Sequence, residues 1–305
     1  MLFVWIILPL SSKACDVCGC IAGGSYNGIL PQYQTNFMGY RIQYNSFMHP
    51  NTDLNKNYGN AVLEDQYKSQ ELWFRYFPQK RVQLFFSVPY KINSRIDTKT
   101  KNTIQGIGDL SVQADYILFN NGDSANLKWK NRIFVGAGIR LPTGKYQQRD
   151  INKVMMPAVF QVGSGAYSYS LHLLHTIRYK AVGINTNIQY AYNTKNELEF
   201  DYGNQFATTV SFFYWKKAKN FSILPNIGMS YETSQKNSEY GIIDNNSGGQ
   251  TMLANIGLDM YFKKMGLNVF VQKPVYQNIG VSQPSNNIRV GLGLLFFLEK
   301  KMKTI

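Results

Sequence analysis

The residues best suited to chemistry are three cysteines in one short stretch, Cys15-Asp16-Val17-Cys18-Gly19-Cys20. They are the only cysteines among 305 residues, and an odd count cannot close entirely into disulfides. Two chemistries fit. In an oxidising compartment Cys15 and Cys18 would form a disulfide and leave Cys20 spare. Alternatively, three thiolates would hold a soft metal ion. Cu(I) accepts three sulfur ligands; Zn(II) needs a fourth, for which His49 beside Met48 is the nearest candidate. A second constellation is Ser170 and His172, two apart and so on one face of a strand. It is the best nucleophile–base pair in the chain, but no third residue to orient the histidine is evident. His172 and His175, three apart, face opposite sides of a regular strand and make no paired metal site. The sequence has no P-loop, dinucleotide fingerprint or HExxH motif. The reading is therefore a non-enzyme without a resident cofactor, Cu or Zn at the cysteines being the exception.

The elements around these residues indicate an exported protein. Residues 1–10, MLFVWIILPL, form a short apolar core, and Ser12 and Ala14 supply the small residues that a signal peptidase reads. Residues 1–14 are expected to be a signal peptide, with cleavage leaving Cys15 first. A cysteine at that place also suits lipidation, which Lys13 disfavours. Residues 15–36 are expected to form a Cys/Gly-rich segment, either a periplasmic tail or a partial plug.

From about residue 37 the apolar pattern has period two. Ile133, Val135, Ala137, Ile139 and Leu141 alternate with Arg132, Phe134, Gly136, Gly138 and Arg140. Val182, Ile184, Thr186, Ile188, Tyr190 and Tyr192 alternate with Asn185, Asn187, Gln189 and Asn193 in the same way. One face is oily and the other is polar. About twelve such strands are expected, an even number as bacterial outer-membrane barrels require. They run approximately over 37–48, 66–77, 81–96, 108–120, 130–143, 161–177, 181–194, 203–215, 220–234, 250–263, 266–276 and 286–298. Many reach the roughly 9–11 residues that a tilted strand needs to cross a bilayer. Tight turns at Pro78-Gln79-Lys80, Tyr179-Lys180 and Lys263-Lys264-Met265 alternate with long polar loops near 49–65, 97–107, 144–160, 195–202, 235–249 and 277–285. Short turns on one side and long loops on the other mark an outer-membrane barrel rather than a soluble sandwich. Trp73, Phe74, Tyr76, Phe77, Tyr90, Tyr116, Tyr214 and Trp215 fall near strand ends and are expected in the interfacial girdles. The expected fold is all-β: one antiparallel transmembrane β-barrel over residues 37–305, in the outer membrane of a Gram-negative bacterium.

Such a barrel turns its polar face to the lumen. Arg41, Gln43, Glu71, Arg75, Lys91, Arg95, Asp115, Arg140, His172, Glu232, Asp259 and Arg289 are expected there. This mixed lining would make either a salt-bridge network that closes the barrel or a pore with mild anion preference, set by Arg75, Lys91, Arg95 and Arg140. The chain carries a net charge of +14. Its lysine clusters fall in turns and are not interleaved with aromatics, which excludes a nucleic-acid partner. The expected partners are outer-membrane lipid, lipopolysaccharide and a small solute, and the expected oligomeric state is a monomer.

Gly106-Ile107-Gly108-Asp109-Leu110 followed by Tyr116, Gly138-Ile139-Arg140-Leu141-Pro142-Thr143-Gly144-Lys145, and Gln161-Val162-Gly163-Ser164-Gly165 form a series. It resembles the outer-membrane barrel family named for the phenol-degradation meta-pathway, over roughly residues 37–298. The resemblance implies an outer-membrane barrel that transports small solutes. The cysteine cluster departs from that family's pattern. Together with Gly28-Ile29-Leu30-Pro31, it is similar to the start of exported barrel proteins of Bacteroidetes-type bacteria. Three functions follow as expectations: a small-solute channel, a metal-handling protein working through Cys15, Cys18 and Cys20, or a closed structural or adhesive barrel.

Overall fold

The computed structural model describes residues 35–50, 63–97, 100–122, 127–150, 153–280 and 283–298. The expected signal peptide, the cysteine cluster and nearly all of the 15–36 segment lie outside the described residues.

Alternation of oily and polar side chains makes each strand two-faced, and a bilayer requires every backbone N–H and C=O to find a partner within the protein. A closed antiparallel sheet meets both demands. The first three strands are β1 (Asn36–Met48), β2 (Glu64–Gln79) and β3 (Val82–Ile96). Next comes β4, which has two segments lying end to end along β3, Lys101–Ile107 and Leu110–Asn120. They are followed by β5 (Trp129–Leu141), β6 (Ser168–Tyr179), β7 (Val182–Asn193) and β8 (Gln205–Tyr214). The last four are β9 (Phe221–Ser234), β10 (Gly249–Phe262), β11 (Met265–Ile279) and β12 (Ser285–Leu298). Each strand pairs antiparallel with its sequence neighbours, and β1 pairs with β12 from Asn36↔Leu298 to Met48↔Ser285. The twelve-stranded barrel is thereby closed, and closure removes the sheet edges.

Two expectations about the strands need correction. The run 161–177 is strand only from Ser168, because residues 156–166 fold inward through a 3-10 turn at Ala158–Phe160 and irregular backbone. The expected long loop 97–107 shrinks to about 97–100, because Lys101–Ile107 continues the fourth strand upward. Outside the barrel wall, Phe200–Asp201, Ser238–Glu239 and Ile242–Ile243 form a small sheet on the long-loop side.

The outer face is apolar: Leu171, Ile227, Ile256, Val275 and Tyr192 are each more than half exposed. The interior is unlike a soluble core. Its buried set is dominated by Arg, Asp, Glu, Asn, Gln and Ser.

Candidate functional site

All twelve residues expected in the lumen occupy inward positions on their strands. Most of their charges are paired. Arg41 on β1 donates from Nε to Glu71 Oε2 on β2 at 2.9 Å, with a second bond from Nη2, and Ser87 donates to the other carboxylate oxygen. Arg289 on β12 reaches across to Glu232 on β9 in a bidentate pair of 2.8 and 2.9 Å. Near the long-loop end, Arg95 donates twice to Asp65, at 2.7 and 2.8 Å, and His49 Nε2 lies 3.0 Å from the same carboxylate. The histidine considered as a fourth zinc ligand thus has an acid as its partner. Two acids are solvated by amides instead. Gln83 and Gln113 donate to Asp115 at 2.8 Å each, and Asn226 and Asn268 donate to Asp259. Buried charges need such dense pairing, because removing an ion from water costs several kcal/mol. Arg75 lies lower, donating to the Thr35 carbonyl at 2.9 and 3.1 Å with its guanidinium over the Phe37 and Phe77 rings.

Lys91, Arg140 and His172, with the Arg41–Glu71 pair, border a cavity of about 180 Å³ in the upper lumen. Ser111, Ser170 and Gln189 add polar lining, and Trp73 and Phe85 contribute apolar surface. A second cavity of about 80 Å³ shares Ser69, Lys91, Asp109 and Arg140 with the first. Among the described residues Lys91 has no ion-pair partner, and Arg140 donates to Asn193 Oδ1 at 3.4 Å. Of the four cations expected to set anion preference, only Lys91 and Arg140 face this space; Arg75 and Arg95 are engaged elsewhere.

Ser170 Oγ and His172 Nε2 are 2.8 Å apart. The register places Gly136 between Asp115 and His172 on three successive strands. With no side chain at Gly136, the acid and the imidazole face each other across it. The Asp115 carboxylate already accepts from two glutamines, so it is no dedicated orienting group. His175 points outward and pairs with Asn131 Oδ1 at 2.8 Å.

The three glycine-rich motifs, distant in sequence, meet at one point. Asp109 in the break of β4 accepts from Gly144 N at 3.0 Å, Ser164 N at 2.8 Å and Ser164 Oγ at 2.7 Å. Its carboxylate therefore pins both ends of the inward loop to the wall. The backbones touch here: a Cβ on Gly163 would lie 2.3 Å from the Gly144 carbonyl carbon. Gly165, at φ +68°, occupies the left-handed region beside the Tyr146 ring. Beyond the pin the loop carries Phe160 and Val162, both fully buried. Asn93 donates to the Phe160 carbonyl at 2.7 Å, and Arg95 stacks on the Phe160 ring. Tyr202 and Asn196 hold the Ser164 carbonyl from the neighbouring loop at 3.2 and 3.1 Å. Sequence reasoning noticed these motifs but missed Asp109 as a functional residue. An acid inside a glycine-rich strand break was the available signal.

The girdle expectation fails for Trp73 and Phe77. Both are buried, at 5% and 4% exposure, and point into the barrel. Trp73 joins Phe37, Phe213, Leu224, Tyr261 and Leu295 in an apolar cluster at the short-turn end of the lumen. Phe77, Ile117 and Phe134 form a second cluster at that level. These are inward positions, so lipid does not explain them; they make a hydrophobic floor. Trp215 is half-buried against that floor, under the Arg178 guanidinium. Tyr76, Tyr90, Tyr116 and Tyr214 do face outward as expected.

A family model described as "Putative MetA-pathway of phenol degradation" matches residues 80–278, well over half of the chain. Among solved structures, an outer membrane channel from Pseudomonas putida F1 superposes with a TM-score of 0.66 at 14% identity, covering 87% of this chain and 96% of that one. The β domain of the Bordetella autotransporter BrkA superposes with a TM-score of 0.51 at 7% identity, covering 87% of this chain and 100% of that one. No curated protein matches the sequence. The shared feature is the fold, that of a bacterial outer-membrane β-barrel, and it places the protein in the outer membrane.

Proposed function

The chain belongs to the phenol-degradation family of outer-membrane barrels, and from that premise we propose that it is a monomeric, non-catalytic channel for a small solute. The observation that carries this reading is the polar cavity bordered by Lys91, Arg140 and His172 inside a closed barrel. Two cations facing that space, against acids that are paired or amide-solvated, favour an anionic solute. Ser170 and His172 serve as hydrogen-bonding wall rather than as a catalytic pair, since Asp115 is occupied by amides. Passage requires the apolar floor around Phe37 and Trp73 and the inward loop to yield.

Single-channel recording of the refolded chain in a planar bilayer tests this. Discrete openings with anion-selective reversal potentials, reduced in Lys91→Gln and Arg140→Gln, are expected. Cation selectivity would remove the anion assignment. Background conductance from a verified folded barrel would favour the closed structural or adhesive reading, which the packed floor also supports. The metal-handling alternative rests on the spacing of Cys15, Cys18 and Cys20. Stoichiometric Cu(I) or Zn(II) that survives Cys→Ser changes would refute it.

A further inference from the structure

Four of the five connections at the short-turn end carry charge of one sign; the fifth, 121–128, is longer and its sequence holds Asp123 as well as Lys128. The turn after β2 is Lys80-Arg81, and the next two present Lys128 and Lys180. The turn after β8 contains Lys216, Lys217 and Lys219, and the turn after β10 is Lys263-Lys264. All nine of these side chains are exposed, and the described residues of these turns include no Asp or Glu. The long-loop end differs: Asp150, Glu197, Glu199 and Asp244 are interspersed there with Lys145, Arg149 and Lys195.

The basic turns form a ring rather than a patch. All five lie at one end of a closed barrel; backbone bonds join neighbouring turns, from Lys180 N to Lys128 O and Trp215 N to Ala181 O, or a turn to the adjacent strand, from Ile117 N to Arg81 O and Phe297 N to Lys264 O. Aromatic side chains stand at the same level. Trp129 is 58% exposed and contacts the Tyr179 ring at 4.8 Å; Lys180 Nζ lies over Tyr179, and Arg81 donates to Tyr116 OH at 3.4 Å. Outward aromatic rings with polar tips mark the headgroup depth of a bilayer. Short turns of outer-membrane barrels face the periplasm.

We infer that this ring of turn lysines and arginines recruits anionic phospholipid headgroups of the periplasmic leaflet around the barrel. A single docked protein would call for a localised patch, whereas an encircling ring at headgroup depth matches an annulus of lipid. Cations near an anionic membrane surface attract it within a Debye length, so the preference depends on salt. The assignment needs only the barrel and its orientation, not passage of a solute.

The test uses the full chain refolded into phosphatidylcholine vesicles containing phosphatidylglycerol, with one lipid brominated at a time. Bromine quenches nearby indoles, so the exposed Trp129 reports which lipid sits beside the turns, while the inward Trp73 and Trp215 give the unquenched background. The wild type is expected to prefer phosphatidylglycerol by about threefold or more, falling toward parity in about 0.5 M salt. Two variants, one with Lys216→Gln, Lys217→Gln and Lys219→Gln and one with Lys263→Gln and Lys264→Gln, are each expected to weaken the preference. Changing Lys145, Arg149 and Lys153 to Gln on the opposite end should leave it intact. No preference in the wild type, or a preference indifferent to both salt and the turn substitutions, overturns the inference. The salt response is read on the wild type, so the test stands even where a variant fails to fold.

Discussion

Asp109→Ala should release the inward loop. Asp109 is 4% exposed, and its carboxylate accepts three hydrogen bonds, two from backbone amides and one from Ser164 Oγ. A hydrogen bond to a charged group contributes about 1.5–3 kcal/mol, and the three share one acceptor and are not additive. Once the loop lifts away, Gly144 N and Ser164 N can bond water. This limits the penalty to the closed state, at about 4 kcal/mol of local stability. Local opening then becomes more frequent by roughly a thousandfold, because each 1.4 kcal/mol is a factor of about ten. Hydrogen exchange at the Gly144 and Ser164 amides reads this directly. Both should exchange far faster in the variant, while amides in the β1–β12 ladder keep their wild-type rates. Asp109→Asn keeps one acceptor oxygen and should fall between. Unchanged exchange at both amides would show that packing of Phe160 and Val162, rather than the carboxylate, holds the loop, and the reasoning would be refuted.

Further outcomes follow from the same interior. Arg289→Ala leaves the buried Glu232 without its bidentate partner and should cost about 3–5 kcal/mol in urea unfolding from lipid, whereas Arg289→Met with Glu232→Leu should cost much less. Gly136→Ala places a Cβ 1.8 Å from Asp115 Oδ1 and 2.5 Å from the Ala114 carbonyl oxygen, so it should lower refolding yield on a heat-modifiability gel. Trp73→Ala removes the largest side chain of the floor at a cost of about 3–5 kcal/mol and, if the floor closes the lumen, should raise single-channel conductance. Equal conductance in the wild type and Trp73→Ala would place the constriction at the loop instead.

The fold was legible because barrel strands obey a local rule. Side chains alternate with period two, and lipid on one side sorts them by polarity over every strand. Ile133 to Leu141 and Val182 to Tyr192 therefore declare their outward face in one dimension, and the opposite positions declare the lumen. Arg41, Glu71, Glu232 and Arg289 could be placed inside by that rule alone. Their partnerships could not be read, since Glu232 and Arg289 are 57 residues apart and meet only across the closed barrel. The girdle expectation for Trp73 and Phe77 conflicts with the same rule. Both share the parity of Glu71 and Arg75, so period two already turns them inward, and what the tertiary structure adds is that their rings pack into a floor. The loop 142–167 shows the complementary case. In sequence its glycines, like Asp109 in the fourth strand, belong to short motifs that carry a family resemblance, and the site they make exists only because three segments converge where no Cβ intervenes. Periodicity and loop lengths determined the class, the membrane setting and the facing of each residue. Which charges pair, where the lumen narrows and which cations still face open space were decided by tertiary contacts, because those depend on distances between strands that no local pattern encodes.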